Sequence, residues 1–201
     1  MARRSLVVDW DGTVTERDVG ELVMLEFGDR DVFERLEAEL GDSLNHNELI
    51  ALEFETVRAP LKNVVDFVLR QARIRPGFHE LAEAESPLVV SGTFHELIEP
   101  VLAREGIEVE LRANRLDPRP EGWRVLFRTT EDCEECGEPC KRAELPPGEV
   151  VYVGDGYYDR CAALAADRVF ARAGLADFLD QARVRYERFE DFHDVAAALA
   201  H

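Results

Sequence analysis

Lysine is nearly missing from this chain. Of its 24 basic residues only Lys62 and Lys141 are not arginine, and 42 acidic residues outweigh them to leave a formal net charge of −18. So acidic a surface excludes a nucleic-acid partner and an anionic membrane surface, because both would be repelled. Long apolar runs are missing too. No stretch approaches the roughly 18 residues of a membrane span, and Met-Ala-Arg-Arg passes into an apolar segment without the core of a signal peptide. The expectation is a cytoplasmic protein. Cysteine is scarce, and three of the four cysteines crowd between Cys133 and Cys140, a spacing that suits a metal or reduced thiols better than a disulfide framework. Stability must come from a hydrophobic core, for which 201 residues at 46% hydrophobic content are sufficient.

What is present is organised around Ser5 to Thr15, SLVVDWDGTVT. Ser5 to Val8 reads as a central strand buried on both faces, since a continuous β-branched run ending in a turn signal is how such strands look. Asp9 and Asp11 then stand at its carboxyl end, where ligands gather in an open parallel sheet, and Gly12 lets the backbone turn away. Their spacing holds two carboxylates about 6 to 7 Å apart along an extended segment. Like charges that close favour a divalent cation or a raised pKa. Taken alone, DWDGT also reads as an acidic turn.

From about Glu16 to Arg73 the pattern is helical. Val19, Leu22, Val23, Leu25 and Phe27 form one apolar face, and three more follow, punctuated by Gly28, Gly41 and Pro60. This predicts a small helical bundle, residues 16–74, inserted after the first strand, where it would overhang the acids as a cap or simply pack as an appendage. Residues 1–15 and 75–201 would form the core. Pro87 to Thr93 reads as a second buried strand, PLVVSGT, followed at once by a helix from about Phe94. Ser91, Gly92 and the helix amides together would make an anion site. Ile107–Leu111 and Trp123–Phe127 read as a hairpin-like pair.

The segment EDCEECGEPCK brings Cys133, Cys136 and Cys140 together just before Lys141, which is expected to open a helix. Either the thiols stay reduced in a surface loop or they bind a structural Zn²⁺, with Cys161, His79, His95 or water completing a tetrahedron. Glu149 to Val153 is a third buried strand, running into Gly154-Asp155-Gly156-Tyr157-Tyr158-Asp159. Asp155 and Asp159 would share one helical face, or serve as a helix cap. Further strands at Arg168–Ala171 and Tyr186–Phe189 alternate with helices at Leu175–Val184 and Phe192–Ala200. The alternation is that of an α/β fold with a doubly wound parallel sheet, a Rossmann-like core. Four acids at strand ends in such a fold call for a cation.

The ordered set DWDGT, VVSGT, the lysine of PCKRAEL and VGDGYYD resembles the signature motifs of the haloacid dehalogenase-like phosphatases, and it spans nearly the whole chain. The helical insertion resembles the cap of the phosphoserine phosphatase-like branch. RIRPGF, the cysteine cluster and VFARAGLADFL resemble methionine-salvage phosphatases within it. The resemblance implies a Mg²⁺-dependent hydrolase of a small phosphorylated metabolite. It makes Asp9 the nucleophile that forms an aspartyl-phosphate, and Asp11 the general acid and then base. It assigns phosphoryl binding to Ser91, Gly92 and Lys141, and Mg²⁺ to Asp9, the Asp11 carbonyl, Asp155 and Asp159. The protein would be a monomer or homodimer.

Departures bear on the substrate. Asp18 stands where phosphoserine phosphatases usually carry glutamate, making it a candidate cap contact with substrate. The cap arginine that holds a substrate carboxylate in those enzymes has no counterpart in NELIALEF, and Arg58 is the nearest one. Losing such a clamp would cost on the order of 2 to 3 kcal/mol. Thr93-Phe94 replaces a glycine-rich continuation, which implies a narrower pocket. Two readings of other classes are a phospho-acceptor receiver domain, which would be shorter and lack the helical insertion, and a catalytically idle zinc-knuckle interaction module.

Overall fold

A computed structural model describes residues 4–200 of the chain. The opening Met1–Arg3 of the leaderless reading lies outside the described residues. Among these, no helix is long and apolar enough to cross a membrane.

The apolar run after Arg4 forms β1 (Ser5–Asp9), which sits in the middle of a seven-stranded sheet. With β2 (Leu88–Phe94), β3 (Glu110–Asp117), β4 (Arg124–Leu126), β5 (Val150–Gly154), β6 (Arg168–Ala171) and β7 (Glu187–Arg188), the sheet order is β4-β3-β2-β1-β5-β6-β7. All neighbours are parallel except β3 and β4. Alternation along β1 explains its apolar continuity: Leu6 and Val8 join one hydrophobic layer while Val7 joins the other, so both faces are covered. The expected doubly wound α/β fold is therefore the observed one. Connections on either side of β1 run in opposite directions across the sheet, which opens a crevice at its carboxyl end.

Four helices follow the loop after β1 before the chain returns to the sheet layer: α1 (Val19–Phe27), α2 (Arg30–Glu37), α3 (His46–Phe54) and α4 (Leu61–Gln71). The chain leaves and re-enters the sheet layer at one place, where Thr15 and Ile74 form an antiparallel bridge and the Arg75 and Glu16 amides donate to Val14 and Arg73 carbonyls at 2.8 and 2.9 Å. The inserted helices are not isolated from the sheet. Val23, Phe54, Val64 and Val68 belong to the same buried cluster as Leu6, Val8 and Phe94. Trp123 in the β3–β4 connection completes the join: it is 1% exposed, and its indole N–H donates to Ala59 O at 3.1 Å. Helix α5 (Phe78–Glu85), just before β2, and α6 (His95–Glu105), α7 (Arg160–Ala165), α8 (Ala173–Ala182) and α9 (Phe192–Leu199) complete the two helical layers.

Three local expectations need correction. The hairpin-like pair exists, but its first strand begins at Glu110 rather than Ile107 and continues through Asp117, which pairs with Arg124. Pairing with β2 carries polar Arg112 and Asn114 into a strand, and pairing with β4 carries Arg115. Lys141 opens only a single 3₁₀ turn, Lys141–Glu144, because Pro146 and Pro147 follow at once. The helix expected from Leu175 starts two residues earlier, at Ala173, and ends at Ala182.

Arg75, in the RIRPGF segment, ties the insertion point to the acidic loop. Its guanidinium donates to the carbonyls of Thr13 at 2.8 Å, Gly12 at 2.8 Å and Thr15 at 3.2 Å. Arg172 also reaches Gly12 O, at 3.4 Å, but the Thr13 and Thr15 carbonyls rest on Arg75. Arg75→Met is expected to leave buried carbonyls unpaired at a cost of about 2–3 kcal/mol, lowering the melting temperature by about 5–10 °C. Calorimetry checks this, and an unchanged melting temperature would show that the loop is held by something else.

Candidate active site

β1 delivers Asp9 into the crevice with its side chain only 4% exposed as a residue. The loop that follows is closed by the Thr15 amide, which donates to Trp10 O at 2.9 Å, and it reverses at Gly12, whose φ is +73°. Glycine is required there twice over. A Cβ would lie 2.3 Å from Asp155 Oδ2, and the positive φ strains any other residue. Thr13 Oγ1 in turn donates to Asp155 Oδ1 at 2.7 Å, so the first loop positions the carboxylate delivered by β5.

Lys141 lies at the centre, 4% exposed, with its ammonium donating to Asp9 Oδ1 and to Asp159 Oδ1, the latter at 2.7 Å. Asp159 is held from every side. Tyr152 Oη donates to Oδ1 at 2.7 Å, and the Asp155 and Gly156 amides both donate to Oδ2 at 2.9 Å. Together these donors occupy the lone pairs of one carboxylate. Burial alone would raise its pKa, but Lys141 and the amides more than offset that and hold Asp159 below the usual range. Lys141 is correspondingly raised, Asp159 and Asp9 outweighing its burial.

The other acids are less well satisfied. Burial, then the charges of Asp159 and the neighbouring acids, push Asp9 well above its ordinary value despite Lys141. Asp155 is pushed up to about 6 by burial and by Asp159. Asp11 turns away from Lys141: Oδ1 accepts the Val19 amide at 2.9 Å and Oδ2 accepts the Ser91 hydroxyl at 3.1 Å. Burial raises it, against the pull of those hydrogen bonds. Ser91 thus does not cap α6, as a serine before a helix often does; its oxygen accepts the Thr93 amide at 2.9 Å within the end of β2. Gly92 is covered from above by His46 of α3, whose Cε1 would stand 2.5 Å from a Cβ.

Oxygens of Asp9, Asp155 and Asp159 lie within 4.8 Å of one another. Lys141 is the one lysine or arginine among the residues lining the cavity, so a net negative charge is left in a buried place. An all-oxygen donor set with surplus charge fits Mg²⁺, and Asp9 and Asp155 are the members with spare lone pairs.

Above the acids is a cavity of about 270 Å³, roofed by Phe33, Leu40, His46, Leu49, Ile50 and Glu53 from the inserted helices. Asp18 lies at its mouth, where Oδ1 caps α1 by accepting the Glu21 amide at 2.9 Å. Arg58 does not enter; it is exposed, with Nη1 bonded to Thr56 O at 2.9 Å. The sequence reading missed His46, Tyr158, Tyr152 and Glu53. His46 stacks on Tyr158 with ring centroids 3.9 Å apart, and burial followed by the charge of Lys141 lowers its pKa to about 3, so it is neutral. Glu53 Oε1 is buried without a partner, and burial, Glu37 and Asp18 raise its pKa to about 8. Nothing in HNELIALEF announces either residue, except that His46 and Glu53 are two turns apart on one helix.

Comparison with known proteins agrees with the arrangement. The sequence profile of haloacid dehalogenase-like hydrolases matches residues 6–164. The chain is 28% identical over 210 residues to the 2-hydroxy-3-keto-5-methylthiopentenyl-1-phosphate phosphatase of Brevibacillus brevis, covering 96% of this chain and 94% of that one. With the enzyme of the same name from Exiguobacterium sibiricum the identity is 30% over 204 residues, covering 94% and 93%. Among solved structures, a phospho-aspartyl intermediate analogue of phosphoserine phosphatase superposes with a TM-score of 0.70 at 17% identity, covering 98% and 99%. Phosphoserine phosphatase from T. onnurineus gives 0.69 at 18% identity, covering 96% and 92%; at such identities these two speak for the fold. The profile match over most of the chain, with relatives aligned end to end, settles the kinship: this protein belongs to the haloacid dehalogenase-like hydrolase family, among its phosphatases.

Proposed function

We propose that the chain is a Mg²⁺-dependent hydrolase of a small phosphorylated metabolite with an uncharged leaving group, working through an aspartyl-phosphate on Asp9. The observation that carries this reading is one buried ammonium shared between Asp9 and Asp159, beneath a roofed cavity and beside Asp155. In this reading residues 16–74 are the cap and the enzyme acts in the cytoplasm, as a monomer or homodimer.

Asp9 attacks phosphorus in line with the leaving oxygen, and Asp11 gives that oxygen its proton. A raised pKa suits Asp11 to this task, because it lets the group hold a proton nearer neutrality. Asp11 then takes a proton from the water that hydrolyses the acyl phosphate and regenerates Asp9. Lys141, Ser91 and the Gly92 amide bind the phosphoryl oxygens. Asp9, Asp155 and the Asp11 carbonyl would hold Mg²⁺, which when bound neutralises phosphoryl charge and polarises the P–O bonds. Asp159, its lone pairs already occupied, fixes Lys141 rather than contacting the ion directly.

The roof selects the leaving group. Asp18, Glu21, Glu37 and Glu53 line the cavity without an arginine, so a substrate carboxylate would find no cation to pair with there. Phosphoserine is therefore disfavoured. Glu53, protonated at neutral pH, offers a hydrogen bond to a hydroxyl or keto oxygen, and Phe33, Leu40, Leu49 and Ile50 offer apolar surface. Those features suit a keto-enol phosphate with a thioether tail, the kind of substrate named for the relatives at 28–30% identity.

Hydrolysis of p-nitrophenyl phosphate by the protein is expected to require Mg²⁺, with Asp9→Asn reducing kcat on the order of 10³-fold or more. Because Asp155 ionises only near 6, protons compete with the ion below that pH, and half-saturating Mg²⁺ should rise as pH falls from 7 to 5. Equal turnover by the mutant would overturn the nucleophile. In a panel of phosphomonoesters, kcat/KM for phosphoserine should lie about 100-fold below that for an uncharged keto-enol phosphate of similar size. Preference for phosphoserine would contradict the reading of the roof.

A further inference from the structure

The cysteine loop lies outside the phosphoryl site, and its side chains converge on one point. Sulfur atoms of Cys133, Cys136, Cys140 and Cys161 all lie within 4.8 Å of one another, although Cys161 belongs to α7 and the other three to the loop before Lys141. None is in a disulfide. Cys133 Sγ and Cys161 Sγ are 3.8 Å apart, far beyond the ~2.05 Å of an S–S bond. That separation matches the edge of a tetrahedron of sulfurs around a single ion, about 3.8 Å for metal–sulfur bonds of ~2.3 Å. A four-iron cluster would spread its thiolates wider, since each binds a different iron.

The loop's backbone is shaped for the same purpose. Cys133 to Gly137 forms a tight turn in which the Gly137 amide donates to Cys133 O at 2.8 Å, and Gly137 takes a φ of +77°. Arg142 lines the same surface pocket as Cys136, Cys140 and Cys161, where it supplies part of the positive charge a tetrathiolate site calls for. Beyond the loop's own bonds, the segment is tied by the Asn47 side-chain amide, which donates to Thr129 O at 2.8 Å, and by Tyr157 Oη, which donates to Glu138 Oε1 at 3.0 Å. Between Phe127 and Lys141 the buried apolar side chains are Pro139 and Cys140, and Glu131, Asp132, Glu134, Glu135 and Glu138 repel one another along the segment.

We propose that Cys133, Cys136, Cys140 and Cys161 bind one structural Zn²⁺, which clamps the two segments that carry Lys141 and Asp159. Cys140 directly precedes Lys141, and Cys161 follows Asp159 by two residues. The ion therefore joins the backbone on both sides of the buried ammonium–carboxylate pair. On binding, the thiols release their protons to solvent and no electron is transferred. Of the fourth-ligand candidates, His79 and His95 are engaged elsewhere, facing Glu83 and Glu99.

The test is metal analysis of the full chain, expressed in zinc-containing medium and desalted without chelator, read independently of phosphatase turnover. About one zinc per chain and negligible iron are expected, with Cys133→Ser and Cys161→Ser each losing the metal. Cobalt added to metal-free wild-type protein should give the intense sulfur-to-cobalt charge-transfer absorption of a tetrathiolate, a readout that stands even where a variant fails to fold. Four freely reacting thiols without metal, disulfides in their place, stoichiometric iron, or zinc kept by both variants would each overturn the proposal. Whether p-nitrophenyl phosphate is turned over does not alter that result.

Discussion

A single ammonium buried between two carboxylates sets the terms for the rest of the molecule. Lys141 meets Asp9 and Asp159 where water has little access, so each contact is stronger than it would be at the surface and any missing partner would be costly. Asp159 is fully satisfied, by Tyr152 and two backbone amides as well as by Lys141. Asp9 and Asp155 are not. The fold therefore concentrates unsatisfied negative charge on the two carboxylates that end β1 and β5, and a divalent cation with a phosphate ester is the chemistry that would relieve it.

Supporting that charge requires a scaffold whose parts lie far apart in the chain. Arg75 gathers the carbonyls of the loop after β1, Thr13 and Gly12 seat Asp155, and Trp123 binds the inserted helices to the sheet. The inserted helices share their buried cluster with one face of the sheet. Their inner surface carries acids and apolar groups but no arginine, which in the proposed function disfavours an amino-acid leaving group.

Much of this was readable from the amino-acid order. Strands buried on both faces show as unbroken runs such as LVV and VVYV, and carboxylates placed at their ends stand out because nothing in a core tolerates them otherwise. The scarcity of lysine drew attention to Lys141, and the helical period from Val19 to Leu69 gave the insertion. What escaped depends on contacts between distant segments. His46 and Glu53 carry no local signal, since their meaning comes from facing Gly92 and Asp18 across the cavity. Likewise Asp159 reads as one more acid in sequence, and only the turn after β5 discloses that its lone pairs are already occupied. Strand β3 was placed three residues early because its polar residues are held by pairing with β2 and β4 rather than by an alternating pattern.

The central claim is that Lys141 is committed to Asp159 and to incoming phosphate, leaving Asp9 and Asp155 to share an ion. A crystal structure of the protein grown with Mg²⁺ and inorganic phosphate tests it most directly. The account predicts an ion bridging Asp9 and Asp155, with a phosphate oxygen within hydrogen-bond reach of both Lys141 Nζ and Ser91 Oγ. An ion coordinated away from Asp9, or phosphate bound with no contact to Lys141, would contradict it.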